Sequence, residues 1–161
     1  MTQGATIETG LEATITKWTI AGLGTLLVAV TLLPWFSARN DGGSAHMAGW
    51  GAWTTTGDID ASLRPLPLAL LVYLTAGVMI YGALRGAFGV AVVGAMATFA
   101  AGLLPFMLMP LVDRNAPGGS AVAVDVAAAP QLVIAVGLIA SIVCWIGYAR
   151  CVLRPSPRAE E

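Results

Sequence analysis

The side chains able to do chemistry are few, and most of them fall in one interval of the chain. His46 is the single histidine, and Asp41, Asp58 and Asp60 lie in the same polar stretch. Zinc wants several nitrogen or sulfur ligands, so one imidazole with scattered carboxylates is a poor set. A hard cation would accept the carboxylates, but the spacing of a calcium loop is missing. His46 is therefore expected to be a solvated loop residue. Asp58 and Asp60 are two positions apart and could act as acid and base. No serine, cysteine or threonine has a recognisable base partner beside them, and there is no Gly-rich phosphate loop. Cys144 and Cys151 are one heptad apart, which on a helix puts their Cα atoms about 10 Å from each other, outside disulfide reach. Free thiols are expected, with acylation of Cys151 as an alternative. The chain reads as a non-enzyme with no catalytic residues, no metal and no cofactor.

Tryptophan is the informative residue type. Trp35, Trp50 and Trp53, three of the five, sit in the longest polar interval. Trp35 follows Pro34 at the end of an apolar run, where an indole anchors a helix at the membrane interface. Trp50 and Trp53 lie deeper in the polar stretch. They either pack on the helix ends and headgroups or form a contact surface for a partner protein, since indole is a favoured hot-spot side chain. These three are the candidate partner-binding residues.

The elements that must position them follow from composition. Of 161 residues 57% are hydrophobic and 11% charged, with mean hydropathy +0.80; a soluble domain is about a quarter charged. Lipid is the expected main solvent. Four apolar runs, about residues 18–36, 66–84, 87–112 and 131–149, approach the roughly 20 residues that cross a bilayer. None has a charged residue or histidine in its interior. Such residues mark ion paths and proton relays, so a pump or proton-coupled transporter is not expected. The fold class is an all-α membrane protein, a four-helix antiparallel transmembrane bundle.

Orientation follows from the cations. Lys17, Arg85, Arg150, Arg154 and Arg158 fall on one side of a four-span layout, and Arg39, Arg64 and Arg114 on the other. The larger set puts segment 1–17 and the basic tail 150–161 in the cytoplasm. Loops 37–65 and 113–130 are then extracytoplasmic. A cleaved signal peptide is the competing account of the first run, and Glu8 and Glu12 with a single lysine before it speak against that. Net charge is −1, so no nucleic-acid partner is expected. Membrane lipids and other membrane proteins are.

Local patterns add detail. Ile7, Leu11, Ile15 and Trp18 form a weak stripe suited to a lead-in helix on the inner leaflet. Pro34 is expected in the last turn of the first span. Residues 50–55 and 121–126 alternate like strands, and together they predict a small extracytoplasmic sheet capping the bundle. Gly94, Thr98 and Gly102 recur at every fourth position of the third span, and Gly137 and Ser141 do so in the fourth. Such small residues let helices approach closely. Pro105 and Pro110 predict a kink in the third helix, with Met107 and Met109 filling gaps beside it.

Leu33-Pro34-Trp35 and Trp50-Gly51-Ala52-Trp53 resemble the tryptophan part of the first-loop signature of claudin/PMP22-type tetraspans. That resemblance implies four helices, cytoplasmic termini and a long first outer loop. No cysteine follows Trp53 within the loop 37–65, so the family's loop disulfide is absent. The Ala/Val/Gly/Leu-rich spans are also similar in composition to actinobacterial tryptophan-associated transmembrane proteins. The function expected is an accessory or scaffolding subunit of a membrane complex; the alternative is a pore-forming or transport-associated role, holin-like or hydrophobe-handling.

Overall fold

A computed structural model describes residues 3–40, 42–57, 67–113 and 123–153, with side chains at 12–40, 42–57, 67–108 and 124–153. Four helices, α1 (Gln3–Val30), α2 (Leu68–Leu84), α3 (Phe88–Asp113) and α4 (Ala128–Val152), are accompanied by four strands, three between α1 and α2 and one between α3 and α4. The strands are β1 (Pro34–Asn40), β2 (Gly43–Ala48), β3 (Trp53–Gly57) and β4 (Ala123–Val126). The helices close a ring in which α1 packs on α2, α2 on α3, α3 on α4 and α4 on α1.

Neighbouring helices run antiparallel. Thr31 meets Tyr73 at one end of the α1–α2 seam, and Lys17 reaches Gly86 at the other. On the α3–α4 seam Gly102 meets Ile134, and Gly89 meets Tyr148. The bundle thus has a terminal end, where the α2–α3 turn joins the far ends of α1 and α4, and a cap end that carries the sheet.

The side-chain distribution puts large aliphatic residues on the outside of the bundle. Leu74, Val93, Ile142 and other large aliphatic residues face outward, while Ala76, Ala91, Ala95 and Ala140 are buried between helices. A soluble bundle would bury the large residues and leave polar ones outside. Segments Glu12–Val30, Phe88–Leu108 and Ala128–Val152 are long and apolar enough to cross a membrane. Helix α2 is apolar but has 17 residues, about 25 Å of helix against a hydrocarbon core of about 30 Å.

The first span differs from its expected course. Helix α1 runs unbroken from Gln3, so the lead-in is continuous with the span and not a separate segment on the leaflet. It stops at Val30, six residues before the expected 18–36 boundary. Thr31, Leu32 and Leu33 donate their N–H groups to carbonyls three residues back, and the Thr31 hydroxyl takes the Val28 carbonyl at 2.7 Å. Pro34 has no N–H to continue the helix and pushes Leu33 toward extended backbone. Pro34-Trp35-Phe36 therefore opens a strand instead of closing a span. In α3 the helix continues through Pro105 and Pro110, and Met107 points outward instead of filling a gap.

The sheet has strand order β3-β2-β1-β4, all antiparallel. The two stretches expected to pair, 50–55 and 121–126, do not pair with each other: β3 begins at Trp53 of the first and β4 covers 123–126 of the second, and the two are opposite edges of the sheet. Strands β1 and β2 lie between them. Phe36, Ala38, Ala45, Met47 and Val124 make one buried face. Ser37, His46, Thr54 and Asp125 are paired across the other. A register shift between Pro34 and Phe36 is the bulge that turns Trp35 inward beside Phe36.

Candidate interaction surface on the sheet cap

The three tryptophans of the first loop end up in different environments. Trp35, 0% exposed, is among the largest buried side chains, so its expected place at the membrane interface is corrected to the cap core. Its bulged position and the preceding proline cause that. Trp53, paired with Met47 across β2–β3, is partly buried and packs against the same core. The indole N–H groups of both are buried without a hydrogen-bond partner. Trp50 is 47% exposed and belongs to no strand. Of the set, it alone offers a large free surface.

Trp50 is held in place from below. Its ring lies 5.0 Å from the Tyr73 ring, centroid to centroid, with planes tilted by 42°. The Tyr73 hydroxyl is 2.6 Å from that of Thr31, which is fully buried. The turn bearing Trp50 is fastened at two points. The Ala48 N–H donates to Ala52 O at 3.0 Å, and the Ala69 N–H of α2 donates to Gly49 O at 2.9 Å. Gly49 is needed there, because a Cβ would stand 2.7 Å from Trp35 Nε1 and 2.8 Å from Thr31 O. Gly51 supplies the left-handed backbone, φ 85°, that lets the chain turn into β3. The end of α1, the start of α2 and the β2–β3 turn thus converge beneath one indole. Leu32 and Leu33, next to Thr31, are exposed as well.

The small residues of the third and fourth spans lie inside the bundle. A Cβ on Gly94 would meet Met79 N at 2.5 Å, and one on Gly137 would meet Phe99 Cα at 3.0 Å. Gly102 faces Ile134 and Val133 in the same manner. The Thr98 hydroxyl is 2.9 Å from that of Thr75 on α2 and 2.9 Å from Gly94 O. Ser141 donates to Gly137 O at 2.8 Å within its own helix. All five residues face helices of the same chain, so they are not a free surface for another protein.

His46 sits in β2 beside Ser37 and Thr54 instead of in a loop, with Nδ1 buried and unpartnered. Among the described residues no group of three metal-ligating side chains occurs. The readings of Asp41, Asp58 and Asp60 lie outside the described residues. Cys144 and Cys151 are both free thiols, one buried and one exposed.

At the terminal end Trp18, Tyr81, Trp145 and Tyr148 are exposed, forming the kind of aromatic rim found at a membrane interface. A shallow cleft of about 50 Å³ between Glu12, Thr16, Phe88, Gly147 and Arg150 is too small for an organic ligand.

No known protein family, curated protein or solved structure matches this chain.

Three residues that support Trp50 from within carry weaker signals in the sequence. Tyr73 had a signal, since a phenol within an apolar run needs a polar partner and so marks a contact. Thr31, near the end of the first run, was the matching hydroxyl. Gly49 was visible only as half of a glycine pair around Trp50.

Proposed function

We propose that this chain is a small, non-enzymatic integral membrane protein in which all four helices cross the bilayer. Both termini face the cytoplasm, the sheet cap lies outside, and the protein serves as an accessory or scaffolding subunit of a membrane complex. The observation that carries the contact role is Trp50, half exposed yet backed by Tyr73 and Thr31. A rigid aromatic side chain loses little conformational freedom on binding and is the usual anchor of an interface. The membrane setting is supported by the outward-facing aliphatic residues and the cation distribution along the chain. The claudin-type layout is part of the same proposal, as a sheet-capped four-helix arrangement without a loop disulfide.

Close helix approach at Gly82, Gly94 and Gly137 favours a sealed bundle over the pore-forming alternative. Gentle detergent extraction with co-purification tests the subunit role. The wild-type chain should retain a defined membrane-protein partner, and Trp50→Ala should lose it while remaining inserted. A partner-free wild type, or a Trp50→Ala protein that keeps its partner, contradicts the proposal.

A further inference from the structure

The terminal end of the bundle carries a second surface, of different chemistry. The α2–α3 turn is Arg85-Gly86-Ala87, and Gly86 takes φ +72°. Lys17 of α1 crosses above it, its Nζ only 3.7 Å from where a Gly86 side chain would begin. The ammonium thus lies directly over the turn, next in sequence to Arg85. The Arg85 guanidinium rests over the Tyr81 ring, Cζ 5.5 Å from the centroid. A guanidinium laid on a ring face keeps its in-plane N–H donors free for an anion.

These two cations differ from Arg150, at the same end. Arg150 is paired with Glu12 at 3.6 Å, the ion pair found among the described side chains. Neither Lys17 nor Arg85 has a carboxylate at that range among them. Both are flanked by exposed apolar surface: Trp18 is 68% exposed, Tyr81 59% and Leu84 51%. Two unneutralised cations above an apolar, aromatic wall fit a ligand with an anionic head and a hydrocarbon body.

We propose that Lys17 and Arg85 together hold the phosphate of an anionic phospholipid, whose chains lie against Trp18, Tyr81 and Leu84. A free phosphate would engage the cations but leave that wall uncovered. This rests on the reading of the bundle as membrane-embedded, and the test separates the two.

The full-length protein is first floated with phosphatidylcholine vesicles. Failure to float overturns the membrane reading and the lipid site with it. The floating protein is then examined by native mass spectrometry with phosphatidylglycerol or phosphatidylcholine added. Wild type should retain one phosphatidylglycerol under activation that strips phosphatidylcholine. The Lys17→Gln/Arg85→Gln double variant should weaken that retention by roughly tenfold or more, Lys17→Arg should preserve it, and Arg150→Gln should leave it unchanged. Inorganic phosphate should not displace the lipid. Equal retention of the two lipids, an unaffected double variant, an equal loss in Arg150→Gln, or displacement by phosphate would each overturn the proposal.

Discussion

The Trp50 ring rests on Tyr73, 5.0 Å between centroids, and the Tyr73 hydroxyl meets that of Thr31 at 2.6 Å. A residue of the cap is thereby coupled through α2 to a buried hydroxyl just past the end of α1. Tyr73→Phe keeps the ring under Trp50 and removes only the phenol, leaving Thr31 its bond to Val28 O. The expected loss is about 0.5–1.5 kcal/mol, the net value of one hydrogen bond. Thermal unfolding in detergent should show a modestly lower midpoint. An unchanged midpoint would mean that the hydroxyl pair contributes nothing.

Trp35 presents the opposite case, a large side chain whose polar atom has no partner. Trp35→Phe retains most of the packing and removes a buried orphan donor, which on its own costs about 1–3 kcal/mol. Stability should therefore be preserved or raised. Trp35→Ala should lose about 3–5 kcal/mol through the cavity it leaves in the cap. Chemical unfolding of the two variants side by side checks this, and a phenylalanine variant as damaged as the alanine one would show that the indole N–H has a partner after all.

Gly94 marks the closest approach of α2 to α3, where even a methyl group would run into Met79 backbone. Gly94→Leu should force the helices apart and sharply lower the yield of folded, monodisperse protein. Met96→Leu, two residues on and facing outward, should behave as wild type. Similar size-exclusion profiles for the two variants would place the α2–α3 contact elsewhere.

Much of the bundle was legible in the sequence, because apolar run length and small-residue spacing are local signals. The cap was harder. The alternating stretch ending in Val126 is found as a strand, and the one at Trp50 becomes a turn followed by β3. The first three residues of β1 fall inside the expected 18–36 span because Pro34-Trp35-Phe36 is as apolar as the run before it, and the rest of the strand falls in the expected loop. The helix ends because Pro34 cannot continue it and the Thr31–Leu33 amides tighten into a last turn of three-residue bonds, which hydropathy does not register. Strand β2, Gly-Ser-Ala-His-Met-Ala, has little intrinsic β preference and forms because β1 and β3 flank it. The candidate site is affected in the same way: Trp35 reads as an interface anchor from its place after an apolar run, and only the bulge shows it turned into the cap core.

Whether α2 crosses the bilayer is set by the position of the α2–α3 turn. In a background of Cys144→Ala and Cys151→Ser, a Thr55→Cys variant reports the cap and an Ala87→Cys variant reports the turn, both exposed positions. A membrane-impermeant maleimide should label position 55 in intact cells and position 87 only after permeabilisation. Labelling of both from outside would mean that the 17-residue helix does not span.

The Trp50 face of the cap is expected to touch another membrane protein, and site-specific photocrosslinking reads such a contact. With a photoreactive phenylalanine analogue at position 50, irradiation of intact cells should yield one discrete adduct with a second membrane protein. The same probe at the outward-facing Val93 should give lipid adducts only. If position 50 also crosslinks to lipid alone, Trp50 is a membrane anchor and the accessory-subunit account is contradicted.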